Sequence, residues 1–217
     1  MLTKEQKQVL EIIFDSKLRK TATWGGGTAL SEIYLKHRQS EDIDIILSDL
    51  PSEIELTAIS NKIKKDTSAL HKKSFTTMNR FQYVFDLRQN RQIKLEFVYF
   101  PFIKLNKPRK IGKIAVESLK DLAVSKILSA YQRNEVKDAV DVYFILKRKK
   151  FTLKELVSGV EKKFGEEIDV AHLLARLTQN LKNFSFVMPL LYQKISKSQI
   201  KELFQKEFDY FLKTQKL

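Results

Sequence analysis

Over residues 3–19, TKEQKQVLEIIFDSKLR, the apolar positions Val9, Leu10, Ile12, Ile13 and Leu18 recur near helical spacing and predict a first amphipathic helix. Trp24 leads into Gly25, Gly26 and Gly27. Thr28 to His37 then return to helical spacing, with Ala29, Leu30, Ile33 and Tyr34 on one side and Thr28 placed to cap. DIDIIL at 42–47 reads as a strand, and Pro51 opens a helix reaching about Ser68.

From Lys73 the period shortens to two. RFQYVFDL sets Phe81, Tyr83, Phe85 and Leu87 against Arg80, Gln82, Val84 and Asp86, and RQIKLEFVYF follows across Gln89 and Asn90, so the pair predicts a β-hairpin with its phenylalanines in the core. KLNKPRKIGK at 104–113, with Pro108 and Gly112 as breakers, ends the alternation. Beyond Val116 the pattern is helical: ESLKDLAVSKILSAYQ, EVKDAVDVYFILKRKK and three more amphipathic segments ending near Leu212. These elements predict an α/β (α+β) fold, a mixed sheet with flanking helices over residues 1–115 and a helical bundle over 116–217.

At 217 residues and 43% hydrophobic content the chain can bury a sizeable core. It has no cysteine and no apolar run near the roughly 20 residues that cross a bilayer, so a cytoplasmic protein without a membrane partner is expected. The net charge of +14 is uneven, with 22 basic and 10 acidic side chains in residues 51–150. Such a concentration favours polyanions, although a solvated lysine-rich surface gives the same count. The run 104–113 alone holds Lys104, Lys107, Arg109, Lys110 and Lys113 and no acid, which makes it the candidate RNA-binding segment.

In a strand, Asp42 and Asp44 project to one face while Ile43 and Ile45 project to the other. Two carboxylates this close repel unless a cation holds them, and oxygen-only ligation suits Mg²⁺ or Mn²⁺. A solvated strand end would also tolerate the pair. The preceding glycines can present backbone N–H groups at a helix N-terminus, a cradle for phosphate. Glu96 shares a strand face with Lys94; if that strand lies beside DIDIIL, Glu96 completes a three-acid site. Lys126 and Arg133 are two turns apart on one helical face, suited to a triphosphate or simply to solvent with Lys137 pairing Asp141. His37 reads as a helix-end cap beside Arg38, and Ser40 as a cap or strand-orienting hydroxyl.

GGTALSEIYLKHRQSEDIDI resembles the nucleotidyltransferase superfamily, and GGTAL followed by HR, Ser and DID resembles the AbiEii and MenT-type toxin family. The likeness continues through Lys94 and Glu96, where the family has lysine and aspartate, and through Asp121, Lys126, Arg133, Lys137, Asp138 and Asp141. The resemblance implies a nucleotidyltransferase-like fold, triphosphate on Gly26, Gly27, Thr28, Arg38, Lys94, Lys126 and Arg133, and metal on Asp42, Asp44 and Glu96. Asp42, Asp44, Glu96 and Lys126 become the catalytic residues, with residues 116–217 completing the nucleotide site. The implied activity is metal-dependent, pyrophosphate-releasing transfer of a nucleoside monophosphate from an NTP to an RNA end, such as the tRNA acceptor stem. An antitoxin is the implied protein partner. Nucleotidylation of a protein hydroxyl, and a non-catalytic nucleic-acid-binding module, are the alternatives.

Overall fold

The computed structural model describes residues 2–148 and 150–215; Met1, Lys149, Lys216 and Leu217, at the outer limits of the two expected domains and in the second expected helix after Val116, lie outside the described residues. The chain divides into two compact units. One holds Met1–Tyr34, Ser40–Ile103 and Lys107–Ser118, and the other holds Leu35–Gln39, Lys104–Asn106 and Leu119–Leu217.

The first unit is α/β. Helix α1, Lys4–Asp15, starts on a capping box between Thr3 and Gln6. It stops short of Arg19 because Ser16 is extended and its hydroxyl accepts from Leu18 N, which starts a 3₁₀ turn instead. Strand β1, Ala22–Gly25, was not predicted: its four residues are all buried, so it has no alternation to detect. Helix α2, Gly26–Ala29, runs into a π-helical stretch, Leu30–Leu35, and β2 follows at Ile43–Leu47. Helix α3, Glu53–Asp66, begins on a capping box from Ser52 to Glu55, so Pro51 lies outside it.

Strands β3, His71–Thr77, β4, Arg80–Asp86, and β5, Gln92–Tyr99, form an antiparallel meander. The hairpin of β4 and β5 is the predicted one; the period of two read from Lys73 already covers most of β3, but no separate strand was assigned there because an exposed edge strand has no buried face to mark it. The basic run contributes β6, Arg109–Ile111, which forms a second small hairpin with β7, Ile114–Val116, just after it. Together the seven strands make one mixed sheet in the order β3-β4-β5-β2-β1-β7-β6. Strand β2 pairs antiparallel to β1 and parallel to β5. Ile43, Ile45, Leu47, Leu95 and Phe97 are buried on the face opposite Asp44 and Glu96. Phe81, Phe85 and Phe97 are core as expected, whereas Phe75 and Phe102 are exposed.

The second unit is helical: α4 at Leu119–Gln132, α5 at Val136–Lys147, α6 at Leu153–Phe164, α7 at Val170–Asn180, a short α8 at Phe184–Val187 and α9 at Lys197–Gln215. Helix α4 carries Lys126 and ends at Gln132, so Arg133 lies just beyond it and Lys137 belongs to α5 rather than continuing the same face. Gly159 on α6 lets that helix approach α4 closely, since a Cβ there would stand 2.5 Å from Val124 Cγ2. Asp121 accepts from the backbone N–H groups of Leu105 and Asn106 and from Lys163, which ties the short stretch 104–106 to the helices.

Candidate active site

In the α/β unit the sheet register sets the chemistry. Gly25 on β1 pairs with Asp44 on β2, and Asp44 pairs with Glu96 on β5, so the glycine turn and two carboxylates lie in one row across three neighbouring strands. Gln82 on β4 and Phe75 on β3 continue the same row. Asp42, just before β2, joins them on a cavity of about 260 Å³ that is also lined by Lys94 and Val84. Glu96 is anchored through Oε1, which accepts from Gln82 Nε2 at 3.2 Å and pairs with Arg80 Nη1 at 3.3 Å.

The glycine turn is built around Asp44. Gly26 has φ +72°, and a Cβ there would come within 2.8 Å of Asp44 Cβ and closer still to its carboxylate. Glycine is therefore required twice over, by backbone conformation and by contact. At Gly25 a Cβ would stand 2.5 Å from Glu117 Oε2, a close carboxylate that sequence reading did not single out because Glu117 is remote in the chain. Thr28 does not cap: the helix begins at Gly26, and the buried Thr28 hydroxyl donates to Ser40 Oγ at 2.9 Å. The π-helical winding directly after this turn is of the kind that often marks a functional site.

Among the described residues, no group of three or more histidine, cysteine or acidic side chains is spaced to enclose an ion. The donors present nevertheless suit a hard divalent cation. They are all oxygen, two come from one short segment, and Mg²⁺ characteristically takes one or two carboxylates and fills its shell with water and substrate phosphates.

The remaining expected residues lie in the helical unit and form a buried ion cluster. Asp141 Oδ1 accepts from His37 Nε2 and Arg38 Nε, both at 2.7 Å, while Oδ2 takes Arg38 Nη2 at 2.9 Å and Lys126 Nζ at 2.7 Å. Asp138 holds Lys126 at 2.9 Å and Arg133 Nε at 2.6 Å. Burial pushes the Asp141 carboxyl up, but Lys126, Arg38 and the hydrogen bonds from His37 and Arg38 outweigh it and hold the group well below the usual carboxylate range. Asp138 is lowered too, with burial opposed by Lys126 and Arg133. For Lys126, burial is overcome by the two aspartates and the ammonium is held above its ordinary value. His37 goes the other way: burial lowers it despite Asp141, so the ring is neutral at pH 7 and donates from Nε2.

His37 is thus a buried partner of Asp141 rather than a helix cap, and Asp141 pairs with Lys126 and Arg38 rather than with Lys137. Lys126 is 7% exposed and already neutralised by two aspartates, so a phosphate reaching it competes with them. Arg133 keeps about half of its side chain in solvent.

The basic run is split. Lys104 belongs to the helical unit, Arg109 and Lys110 sit exposed on β6 with the Arg109 guanidinium over the Tyr34 ring, and Lys113 pairs with Asp15. Lys107 is exposed just before β6. Sequence adjacency to the Glu96 strand does not become spatial adjacency, because β2, β1 and β7 stand between β5 and β6.

Residues 8–214 match the family described as nucleotidyl transferase AbiEii toxin, type IV toxin–antitoxin system. The chain belongs to the AbiEii family. It is accordingly a nucleotidyltransferase of a toxin–antitoxin system. An uncharacterized protein of Aquifex aeolicus (strain VF5) is 27% identical over 171 residues, which span 75% of this chain and 76% of that one. Among solved structures, JHP933 from Helicobacter pylori superposes with a TM-score of 0.64 at 15% identity, covering 99% of this chain and 97% of its own. A candidate nucleotidyltransferase from H. pylori gives 0.64 at 17% identity, covering 97% and 95%. Both share the fold of this AbiEii chain. Among the described residues no helix is long and apolar enough to cross a membrane.

Proposed function

We propose that the α/β unit transfers a nucleoside monophosphate from an NTP to the hydroxyl of an RNA end, with the tRNA acceptor stem as the acceptor suggested by the family resemblance. The observation that supports the reading is the single row Gly25–Asp44–Glu96, which sets a glycine turn and two carboxylates side by side. Backbone N–H groups of the turn at Gly26 and Gly27 take the triphosphate. Asp42 and Asp44 hold Mg²⁺ or Mn²⁺, which when bound polarises the α-phosphoryl group and offsets the charge of the departing pyrophosphate. The acceptor oxygen attacks the α-phosphorus, the bond from that phosphorus to the β-bridging oxygen breaks, and the acceptor proton passes to the Glu96 carboxylate. Arg80 and Gln82 fix Glu96 in place through one oxygen.

Arg38, Lys126 and Arg133 remain candidate phosphate contacts on the resemblance, in competition with Asp138 and Asp141. An antitoxin would be the opposing partner in the cell. The test is incubation of the purified chain with each α-labelled NTP, Mg²⁺ or Mn²⁺ and total RNA. Label in a tRNA-sized band supports the reading, whereas label in protein with RNA untouched replaces it with protein nucleotidylation. RNA binding that persists in chelator, without turnover under any metal, would leave a nucleic-acid-binding module.

A further inference from the structure

The row that carries Asp44 and Glu96 does not end at Glu96. It continues through Gln82 to Phe75 on the edge strand β3, and Phe75 is 58% exposed on the wall of the same cavity. An exposed ring on a sheet edge invites self-association and contributes little to the core, and this one stands in the carboxylate row with only Gln82 between it and Glu96, on the wall of the same cavity. The row beside it on this face is Lys73–Val84–Lys94, which sets two lysines two strand spacings, about 10 Å, apart. The opposite face of the edge is occupied differently, with Lys72 bonded to Ser60 and Asn61 of α3. Lys94 lines the cavity with Phe75, while Lys73, one row along, pairs loosely with Asp86 at 3.7 Å and is otherwise exposed. A flat apolar ring in a cavity of mixed lining, with lysines in the next row, suits a nucleobase on a phosphate backbone better than a peptide.

The order of strands decides which nucleotide. The phosphate cradle lies on the β1 side of Asp44, and Phe75 lies beyond Glu96 on the other side, roughly three strand spacings or about 14 Å from Asp44. Since Glu96 is the group assigned to the acceptor hydroxyl, the side beyond it belongs to the acceptor and not to the incoming NTP. We propose that Phe75 is a stacking platform for an unpaired base of the RNA acceptor, upstream of the reacting end, with Lys73 and Lys94 on its phosphates. This rests on the RNA-transfer reading above for its direction, and on the register and exposure of Phe75 for its location.

The test uses the full chain and a short fluorescein-labelled single-stranded oligoribonucleotide of mixed sequence, titrated by anisotropy without NTP at several salt concentrations. Phe75→Ala is expected to weaken binding by about 5- to 150-fold, the range for loss of one aromatic stack, with an unchanged salt slope because no charge is removed. Phe75→Tyr should retain binding, and NTP affinity by calorimetry should be the same in all three proteins. Unchanged oligonucleotide affinity in Phe75→Ala overturns the platform, as does a loss confined to NTP, which would make the ring a contact of the incoming base. Phe75-dependent binding by a chain that transfers nothing to RNA keeps the platform and sinks the transfer reading. Transfer to RNA at wild-type KM by Phe75→Ala does the reverse.

Discussion

Gly26→Ala isolates the joint between the glycine turn and the carboxylate. A side chain at φ +72° costs about 1–2 kcal/mol for left-handed backbone alone. The added methyl also lands on Asp44, within 2.8 Å of its Cβ, and overpacking of that kind costs a further 1–3 kcal/mol or so. The expected loss is therefore about 2–5 kcal/mol, a large share of the roughly 5–15 kcal/mol by which a domain is stable. Trp24 is the chain's single tryptophan, is buried in β1 and adjoins this turn, so its fluorescence during urea unfolding reports the α/β unit. A lower midpoint at constant slope measures the loss. Measured against Asp44→Gly alone, adding Gly26→Ala should cost only the 1–2 kcal/mol or so of backbone strain, with the contact part removed. Nucleotide transfer by the single variant should be abolished, because the methyl displaces Asp44. A Gly26→Ala protein that unfolds at the wild-type midpoint and transfers nucleotide at the wild-type rate would refute both the strain and the contact.

Asp42→Asn and Asp44→Asn should each abolish transfer while the Trp24 unfolding midpoint holds or rises, because removing one of two neighbouring carboxylates relieves repulsion in the metal-free protein; near wild-type turnover by either variant at matched Mg²⁺ removes that residue from the metal site. Asp141→Asn removes the carboxylate shared by His37, Arg38 and Lys126, leaving Lys126 with Asp138, and should destabilise the helical unit by about 3–5 kcal/mol, read as helical circular dichroism in urea; Lys126→Ala should cost a similar amount, and a loss of NTP affinity at unchanged stability would instead make Lys126 a phosphate contact. With the folded pKa of His37 lowered from 6.5, its contribution is complete above about pH 6.5 and declines as pH falls towards the folded value, and the lowered Asp141 adds a further loss below about pH 4. Stability curves against pH should show both declines in the wild type and only the second in His37→Gln. Neutralising Lys107, Arg109 and Lys110 together should flatten the salt slope of RNA binding by about 2–3 at unchanged NTP affinity; equal slopes would take β6 out of the RNA path.

Period and spacing along the chain were enough for the strongest elements. The alternation in β4 and β5, the D-x-D of β2 and the helical periods after Val116 are local signals, since a side chain's face follows from its own strand or helix. The glycine run and the motif order carried the family, because those residue types answer to chemistry rather than to packing. Strand β1 was illegible because it is buried on every residue, and β3 was legible only as the start of the two-residue period at Lys73, because exposure along nearly its whole length leaves no buried face to delimit it. Only the folded sheet could place Glu96 beside Asp44, since the pairing joins residues 52 positions apart through a parallel register that no local pattern encodes. The same holds for Asp141, which looked like a helical partner for Lys137 and instead gathers His37, Arg38 and Lys126 from two distant segments. Phe75 was one phenylalanine among many in the sequence; its exposure, and its row with the carboxylates, came from the turn of β3 against β4. Residue chemistry is written along the chain, but which charges meet is decided by strand order and burial.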